Sequence, residues 1–124
     1  MSNILFIAAG GAIGAVMRYL ASTGLHSVMG RAFPYGTLAV NVSGSFAMGL
    51  AFVLLLEKMD VGVEWRMGLT IGLLGAFTTF STFSIETLNL IESGEPLKAG
   101  LNVFLSVTLC LAFAWLGMIL ARQL

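Results

Sequence analysis

Four long apolar segments alternate with short polar separators along the chain. A helix needs about 20 predominantly apolar residues to cross roughly 30 Å of hydrocarbon, and each segment reaches that length. The separators contain both prolines and most of the charged residues. This pattern predicts an all-α integral membrane protein, a single domain over 1–124 with four transmembrane helices. We place the helices at about residues 4–23, 36–56, 66–91 and 99–121.

Composition and charge narrow the classes of function. Apolar residues make up 58% of the chain and charged residues 10%, whereas a soluble domain carries about 25% charged residues. Six basic residues balance six acidic ones and form no basic block, which argues against nucleic acid as a partner. A single cysteine excludes an internal disulfide, and no Cys/His cluster indicates a zinc site. No Gly-x-x-x-x-Gly-Lys motif supports an ATP-driven pump.

The basic residues near the ends of the segments are evenly distributed between the two sides. An even number of spans places both termini on one side of the membrane, and the positive-inside rule orients a small membrane protein by its Lys/Arg bias. Because this bias is nil here, two outcomes stay open: insertion in both orientations to form an antiparallel homodimer, or one orientation selected by weaker signals. The two sets are Lys58, Arg66 and Arg122 against Arg18, Arg31 and Lys98.

Small residues recur at a four-residue spacing in two of the segments. Gly10 and Gly14 lie in the first segment, and Gly68 and Gly72 lie in the third. Such Gly-x-x-x-Gly faces let transmembrane helices approach closely. The sequence leaves open whether these faces pack within one chain or between two chains.

The third segment contains a stretch near its middle that weakens a helix. Glycine and β-branched threonine disfavour helix there, and an unbroken helix over 66–91 would measure about 39 Å, longer than the hydrocarbon core. We therefore predict that this helix is broken near residues 75–79. Non-helical backbone at membrane depth survives only inside protein or beside water. The freed carbonyls either bind an alkali cation or belong to a simple kink capped by threonine hydroxyls.

Polar and aromatic side chains inside the segments are the candidate functional groups. Asn41 needs hydrogen-bond partners in hydrocarbon, so its amide either ties two helices together or faces a water-filled path. Phe80 and Phe83 share a helix face, either as packing residues or with their electropositive edges lining an anion path. Nearby hydroxyls can donate hydrogen bonds to an anion, and they belong to Ser81, Thr82 and Ser84.

Two charged residues lie toward the ends of the segments. Glu86 is the one carboxylate well inside a span, and its place toward the end of the third segment favours a vestibule position over a proton relay. Arg18 lies near the end of the first segment, where it extends to the interface or attracts anions to the mouth of a path. Cys110, in the fourth segment, is most simply a small packing residue.

Three motifs occur in order along the chain: GGAIGAVMRY from Gly10, NVSGSF from Asn41 and GAFTTFSTFS from Gly75. Together they resemble the Fluc (CrcB) family of fluoride channels over essentially the whole chain, and the third motif is the specific one. The resemblance implies a passive fluoride-selective channel, not an enzyme, that exports cytoplasmic fluoride through the inner membrane of a bacterial cell. It also implies an antiparallel dual-topology homodimer with two pores, embedded in the lipid bilayer.

The same resemblance assigns roles to individual residues. By it the fluoride pathway runs along Asn41, Phe80, Phe83 and, on the last helix, near Ser106 and Cys110. It also implies a structural, non-transported Na⁺ at the dimer centre. The backbone carbonyls of Gly75 and Thr78 from both subunits would hold that ion.

Two other functions stay open on the sequence. A small dual-topology drug/proton antiporter has four helices and a similar length, but it needs a membrane-embedded carboxylate, and the first segment contains no Asp or Glu. A non-transporting helper subunit would pack against a larger membrane complex and give no ion flux by itself.

Overall fold

The computed structural model describes residues 1–124, which form four long helices joined by short turns. Each helix is long and apolar enough to cross a membrane, and no strand is present. The predicted all-helical fold with four membrane-crossing helices is therefore confirmed. The helices are α1 (Ser2–Met29), α2 (Tyr35–Lys58), α3 (Val63–Glu92) and α4 (Pro96–Gln123).

The helices extend several residues beyond the predicted spans. An apolar stretch of sequence marks only the part of a helix that spans hydrocarbon. The helix itself continues until a residue ends its hydrogen-bonding pattern. At the end of α1, Gly30 adopts φ 83 and its N–H donates to the His26 carbonyl at 2.8 Å. Gly94, with φ 81, forms the turn before α4. Pro96 is the first residue of α4. A backbone N–H at that position would have no helical acceptor, so proline loses no hydrogen bond there.

Glycines bring α1 and α3 into close contact. A Cβ at Gly10 or Gly14 would collide with backbone carbonyl oxygens of α3, and a Cβ at Gly72 would lie 2.6 Å from the carbonyl oxygen of Ile7. The Gly-x-x-x-Gly faces of these helices therefore pack against each other within one chain, which settles the arrangement that the sequence left open. This packing determines which α1 side chains lie level with the middle of α3.

A second glycine interface joins α2 to α4. A Cβ at Gly49 would collide with the Ala114 carbonyl, and a Cβ at Gly117 would collide with the Phe46 carbonyl. Sequence reasoning missed this pair because neither glycine has a partner four residues away on its own helix. The two glycines still face opposite carbonyls, so they allow the same close approach of backbones.

The third helix departs from regular α geometry at two places. Hydrogen bonds over five residues wind Gly68–Leu74 as a π-helical segment, and the Gly75 N–H donates to the Thr70 carbonyl. Helical geometry is then lost at Thr78 (φ −86, ψ 157) and Thr79 (φ −150, ψ 117), which we name the extended pair. The α-helix resumes as Phe80–Glu92.

Large apolar side chains point outward on the long helices. The side chains of Ile4, Leu20, Phe104 and Trp115 are each more than 60% exposed in the single chain. An apolar surface of this extent is unusual for a soluble monomer. It matches the hydrocarbon that four membrane-crossing helices would meet.

The glycine contacts generate a stability prediction for two positions on α4. Gly117→Ala places a methyl group against the Phe46 carbonyl, and we expect this overpacking to destabilise the protein by about 1–3 kcal/mol. Gly100→Ala is the matched control, because a Cβ there meets open space and alanine favours helix by about 1 kcal/mol. Thermal unfolding of the purified protein in detergent measures both. Equal unfolding temperatures for the two variants would contradict the close contact of α2 with α4.

Candidate functional site

The Asn41 side chain of α2 is hydrogen-bonded to the extended pair on α3. Its Nδ2 donates to the Thr79 carbonyl at 3.0 Å, and its Oδ1 accepts from the Thr79 N–H at 2.8 Å. A side-chain amide carries one carbonyl and two N–H donors. Here it takes the place of a backbone peptide group as the hydrogen-bond partner of Thr79. Of the two arrangements left open for Asn41, the structure shows the one that ties two helices together, and one N–H of its amide remains for another partner.

The carbonyls around the extended pair differ in what they accept. The Thr78 N–H donates to the Leu74 carbonyl at 3.1 Å. In a regular helix the Thr79 N–H would donate to the Gly75 carbonyl. Because it donates to the Asn41 Oδ1 instead, the Gly75 carbonyl has no helical donor. The Thr78 carbonyl accepts no hydrogen bond from the chain. The Ala76 carbonyl accepts one, from Arg18, described below. Gly75 is exposed and Thr78 half-buried in the single chain, and their oxygens, which accept no hydrogen bond from the chain, are candidate cation ligands.

The hydroxyls beside the extended pair begin the helix that follows. The Thr79 Oγ1 accepts from the Thr82 N–H at 3.1 Å and donates to the Thr82 Oγ1 at 3.0 Å, and the Ser81 Oγ lies 3.3 Å away. The Ser84 hydroxyl donates to the Phe80 carbonyl at 2.9 Å. The Thr79 hydroxyl, which accepts from the Thr82 N–H, is the N-cap of Phe80–Glu92. None of Ser81, Thr82 and Ser84 lines either of the two cavities described below.

A cavity of about 450 Å³, which we name the central cavity, opens beside the extended pair. Most of its lining is apolar, and a few polar groups converge on it, as is typical of small-ligand sites. Four predicted pathway residues lie together there, namely Asn41, Phe80, Phe83 and Ser106, and Cys110 and Thr78 also line it. Gly75 lies outside this lining.

The two phenylalanines form one aromatic pair at the central cavity. Their ring centroids lie 5.3 Å apart with the planes tilted by 45°. Phe80 is nevertheless 77% exposed in the single chain, although a ring that serves core packing is normally buried. Packing within this chain therefore does not account for the position of Phe80.

A second cavity of about 590 Å³, which we name the polar cavity, lies at one end of the bundle and contains Glu86. The basic residues His26, Arg31 and Lys98 also line it. Lys98 lies 3.9 Å from the Glu95 carboxylate, whereas Arg31 has no ion-pair partner in the chain. The Glu86 Oε1 is buried and accepts no hydrogen bond.

Arg18, which the sequence placed with Glu86 as a candidate vestibule residue, does not line the polar cavity. Because α1 continues to Met29, Arg18 is well inside the helix rather than near its end. Its Nε donates to the Ala76 carbonyl at 3.0 Å. The structure thus places Arg18 against the segment that precedes the extended pair.

A chain of polar groups that sequence reasoning missed extends from the central cavity along α3 and α4. The Ser106 hydroxyl lies 3.4 Å from the Asn102 Oδ1, the Asn102 Nδ2 donates to the Thr87 hydroxyl at 2.9 Å, and that hydroxyl donates to the Phe83 carbonyl at 2.8 Å. Asn102 is only 2% exposed. An asparagine in an apolar span, with a serine four residues later, was the available signal.

The clamp on the extended pair can be tested without any transport measurement. Asn41→Leu keeps a similar side-chain size but removes both the Nδ2 donor to the Thr79 carbonyl and the Oδ1 acceptor of the Thr79 N–H. We expect a loss of stability of about 1–3 kcal/mol and faster hydrogen exchange at the Thr79 amide. Asn89→Leu is the matched control, since Asn89 is exposed and is part of no such pair of bonds. Unchanged exchange at Thr79 in Asn41→Leu would refute the clamp.

Comparison with known proteins gives consistent results along the chain. Residues 5–118 match the family model described as CrcB-like protein, Camphor Resistance (CrcB). A relative from Geobacter sulfurreducens, named fluoride-specific ion channel FluC, is 55% identical over the whole of both chains. A relative of the same name from Coxiella burnetii is 51% identical over 98% of this chain and 99% of its own.

A third relative, from Methylococcus capsulatus, carries the same name and is 53% identical over 98% of this chain. The match covers 54% of that relative's length, so this chain spans about half of it. The family match, the full-length relatives and the four membrane-crossing helices together identify this chain as a multi-pass membrane protein that belongs to the CrcB-like family.

Proposed function

We propose that this protein is a passive fluoride-selective channel that exports cytoplasmic fluoride through the inner membrane of a bacterial cell. The names of the full-length relatives support this function. The observation that carries it is the central cavity, where neutral donors and two phenylalanine rings meet beside non-helical backbone. This arrangement offers an anion hydrogen bonds and ring edges without a fixed cation.

The polar groups of the central cavity can replace the water of a small anion. Asn41 keeps one N–H free after clamping Thr79. The Ser106 hydroxyl makes only a long contact of 3.4 Å to Asn102, so it can turn toward an anion at little cost. The edges of Phe80 and Phe83 add a weak positive potential. In the proposed pathway, further donors lie beside Phe80, namely the hydroxyls of Ser81, Thr82 and Ser84.

The polar cavity is the proposed vestibule of this pathway. Arg31 and Lys98 supply positive charge there, which raises the local concentration of anions. Glu86 faces the same space and limits how tightly an anion is held. Membrane potential supplies the driving force, since it favours anion exit by about 2.3 kcal/mol per 100 mV when the cell interior is negative.

We further propose that two copies assemble as an antiparallel dual-topology homodimer. The even distribution of basic residues supports insertion in both orientations. Phe80 lines the central cavity and is 77% exposed, and in the proposed dimer a second copy would cover this ring and close the pathway beside it.

A structural Na⁺ between the two copies fits the carbonyls at the extended pair. The oxygens of Gly75 and Thr78 lack hydrogen-bond donors, and carbonyl oxygens are suitable ligands for an alkali cation. The ion would tie the two subunits together without being transported. Here the protein's own contribution is to hold these oxygens free at membrane depth.

The phenylalanines give the sharpest test of the channel. Phe80→Ile and Phe83→Ile keep apolar bulk but remove the ring quadrupole, so we expect fluoride efflux from liposomes to fall about tenfold or more. Phe52→Ile, outside both cavities, is the control and should conduct as the unmodified protein does. A fluoride electrode measures efflux, and gel filtration checks assembly. Unchanged efflux in a well-assembled double variant would return both rings to a packing role.

The same assay separates the two rival functions. An antiporter needs a proton gradient and a cationic substrate to move anything, whereas a channel gives passive fluoride efflux. A helper subunit gives no flux when purified alone. Either result with the unmodified protein would overturn the proposed channel.

The orientation proposal has an independent test. Two lysines added at the C-terminus should bias insertion toward one orientation. We expect such a variant to lose most fluoride efflux in cells, and an oppositely biased variant expressed with it should restore efflux. Full efflux from one forced orientation alone would contradict the antiparallel dimer.

A further inference from the structure

Arg18 is a charged residue inside a membrane-crossing helix, and its charge has no carboxylate partner. No ion pair in the chain includes it, and it lines neither the central cavity nor the polar cavity. Its one hydrogen bond is the 3.0 Å contact from Nε to the Ala76 carbonyl. A charged side chain at membrane depth is costly and usually marks a functional site.

The Ala76 carbonyl is one of the oxygens that the extended pair affects. In an unbroken helix it would accept from the N–H four residues later, that of Phe80. The extended backbone at Thr78 and Thr79 removes that geometry. Arg18 supplies a donor from α1, in the same way that Asn41 supplies partners for Thr79 from α2.

Side chains therefore pair with some of the carbonyls around the extended pair and leave others unpaired. Arg18 donates to the Ala76 carbonyl and Asn41 donates to the Thr79 carbonyl. The Gly75 and Thr78 oxygens accept no hydrogen bond. We propose that Arg18 is a positioning residue that, by holding the Ala76 carbonyl, orients the Gly75 and Thr78 carbonyls toward a bound cation. This inference rests on the proposed sodium site and assigns to Arg18 a role in forming it.

Three substitutions separate the hydrogen bond of Arg18 from its charge. In Arg18→Gln, the side-chain nitrogen occupies the same place along the side chain as the arginine Nε, so the donor stays and the charge is lost. Arg18→Met has a similar length and neither donor nor charge. Arg18→Lys keeps the charge but has a carbon at the position of Nε.

The experiment measures the Na⁺ concentration that each protein needs, by two readouts. One is the rise in thermal unfolding temperature as Na⁺ replaces N-methylglucamine, which yields a dissociation constant for Na⁺ that we call the unfolding midpoint. The other is fluoride efflux from liposomes at the same Na⁺ concentrations. Arg122→Gln is the control, because it removes a basic residue whose ion pair with Glu57 lies on the exposed end of the bundle.

We expect the unmodified protein, Arg18→Gln and the control to share one Na⁺ midpoint in both readouts. Arg18→Met and Arg18→Lys should need about tenfold more Na⁺, as expected for the loss of one hydrogen bond. High Na⁺ should then restore their efflux. If Arg18→Met does not fold, the comparison of Arg18→Lys with Arg18→Gln decides the question.

Two results would overturn the inference alone: an unchanged midpoint in Arg18→Met or Arg18→Lys, or a shift in Arg18→Gln equal to that of Arg18→Met. The second result would assign the effect to charge instead of the hydrogen bond. An unmodified protein with no Na⁺ dependence in either readout would overturn the sodium site together with the inference. Na⁺-dependent unfolding without fluoride efflux would overturn the channel, and the unfolding midpoints would still test Arg18.

Discussion

The requirement that backbone polar groups find partners at membrane depth governs the centre of this protein. Hydrocarbon supplies no hydrogen bonds, so any residue that leaves the helix exposes N–H and C=O groups that another part of the protein must satisfy. Thr78 and Thr79 leave the helix in the middle of α3. Side chains from α1 and α2 then replace part of the missing helical bonds, through Arg18 on one side and Asn41 on the other.

The close packing of helices makes these side-chain contacts geometrically accessible. Glycines at positions 10, 14 and 72 let α1 and α3 approach until backbone meets backbone, which places Arg18 within reach of Ala76. Gly44 plays the corresponding part on α2, where a Cβ would collide with the Thr78 side chain and lie 3.0 Å from the Phe77 ring. Substituting these glycines would therefore disturb the extended pair by moving the helices apart, although the glycines make none of its side-chain hydrogen bonds.

The sequence predicted what depends on local length and composition, and it missed what depends on pairing between helices. Apolar length was enough to place four helices, and the cost of a buried amide singled out Asn41. The grouping of Arg18 with Glu86 followed from an apparent helix end at residue 23, whereas α1 continues to Met29. Asn102 and Gly117 were missed because their partners, Thr87 and Phe46, lie on other helices. Sequence reasoning also missed the N-cap of the helix that follows the extended pair, in which the Thr79 hydroxyl accepts from the Thr82 N–H.

The distribution of charge follows the same physical logic and bears on how an anion would cross. A fixed cation 4 Å from an anion contributes about 4 kcal/mol at an effective dielectric of about 20, whereas the edge of an aromatic ring carries only a partial positive charge. In this chain Arg31 and Lys98 stand in the polar cavity, and no charged side chain lines the central cavity. The guanidinium nearest the middle, that of Arg18, is tied to a backbone carbonyl. In the proposed pathway, an anion would therefore enter through the polar cavity and meet only weak, neutral ligands in the central cavity, and weak ligands would allow it to leave.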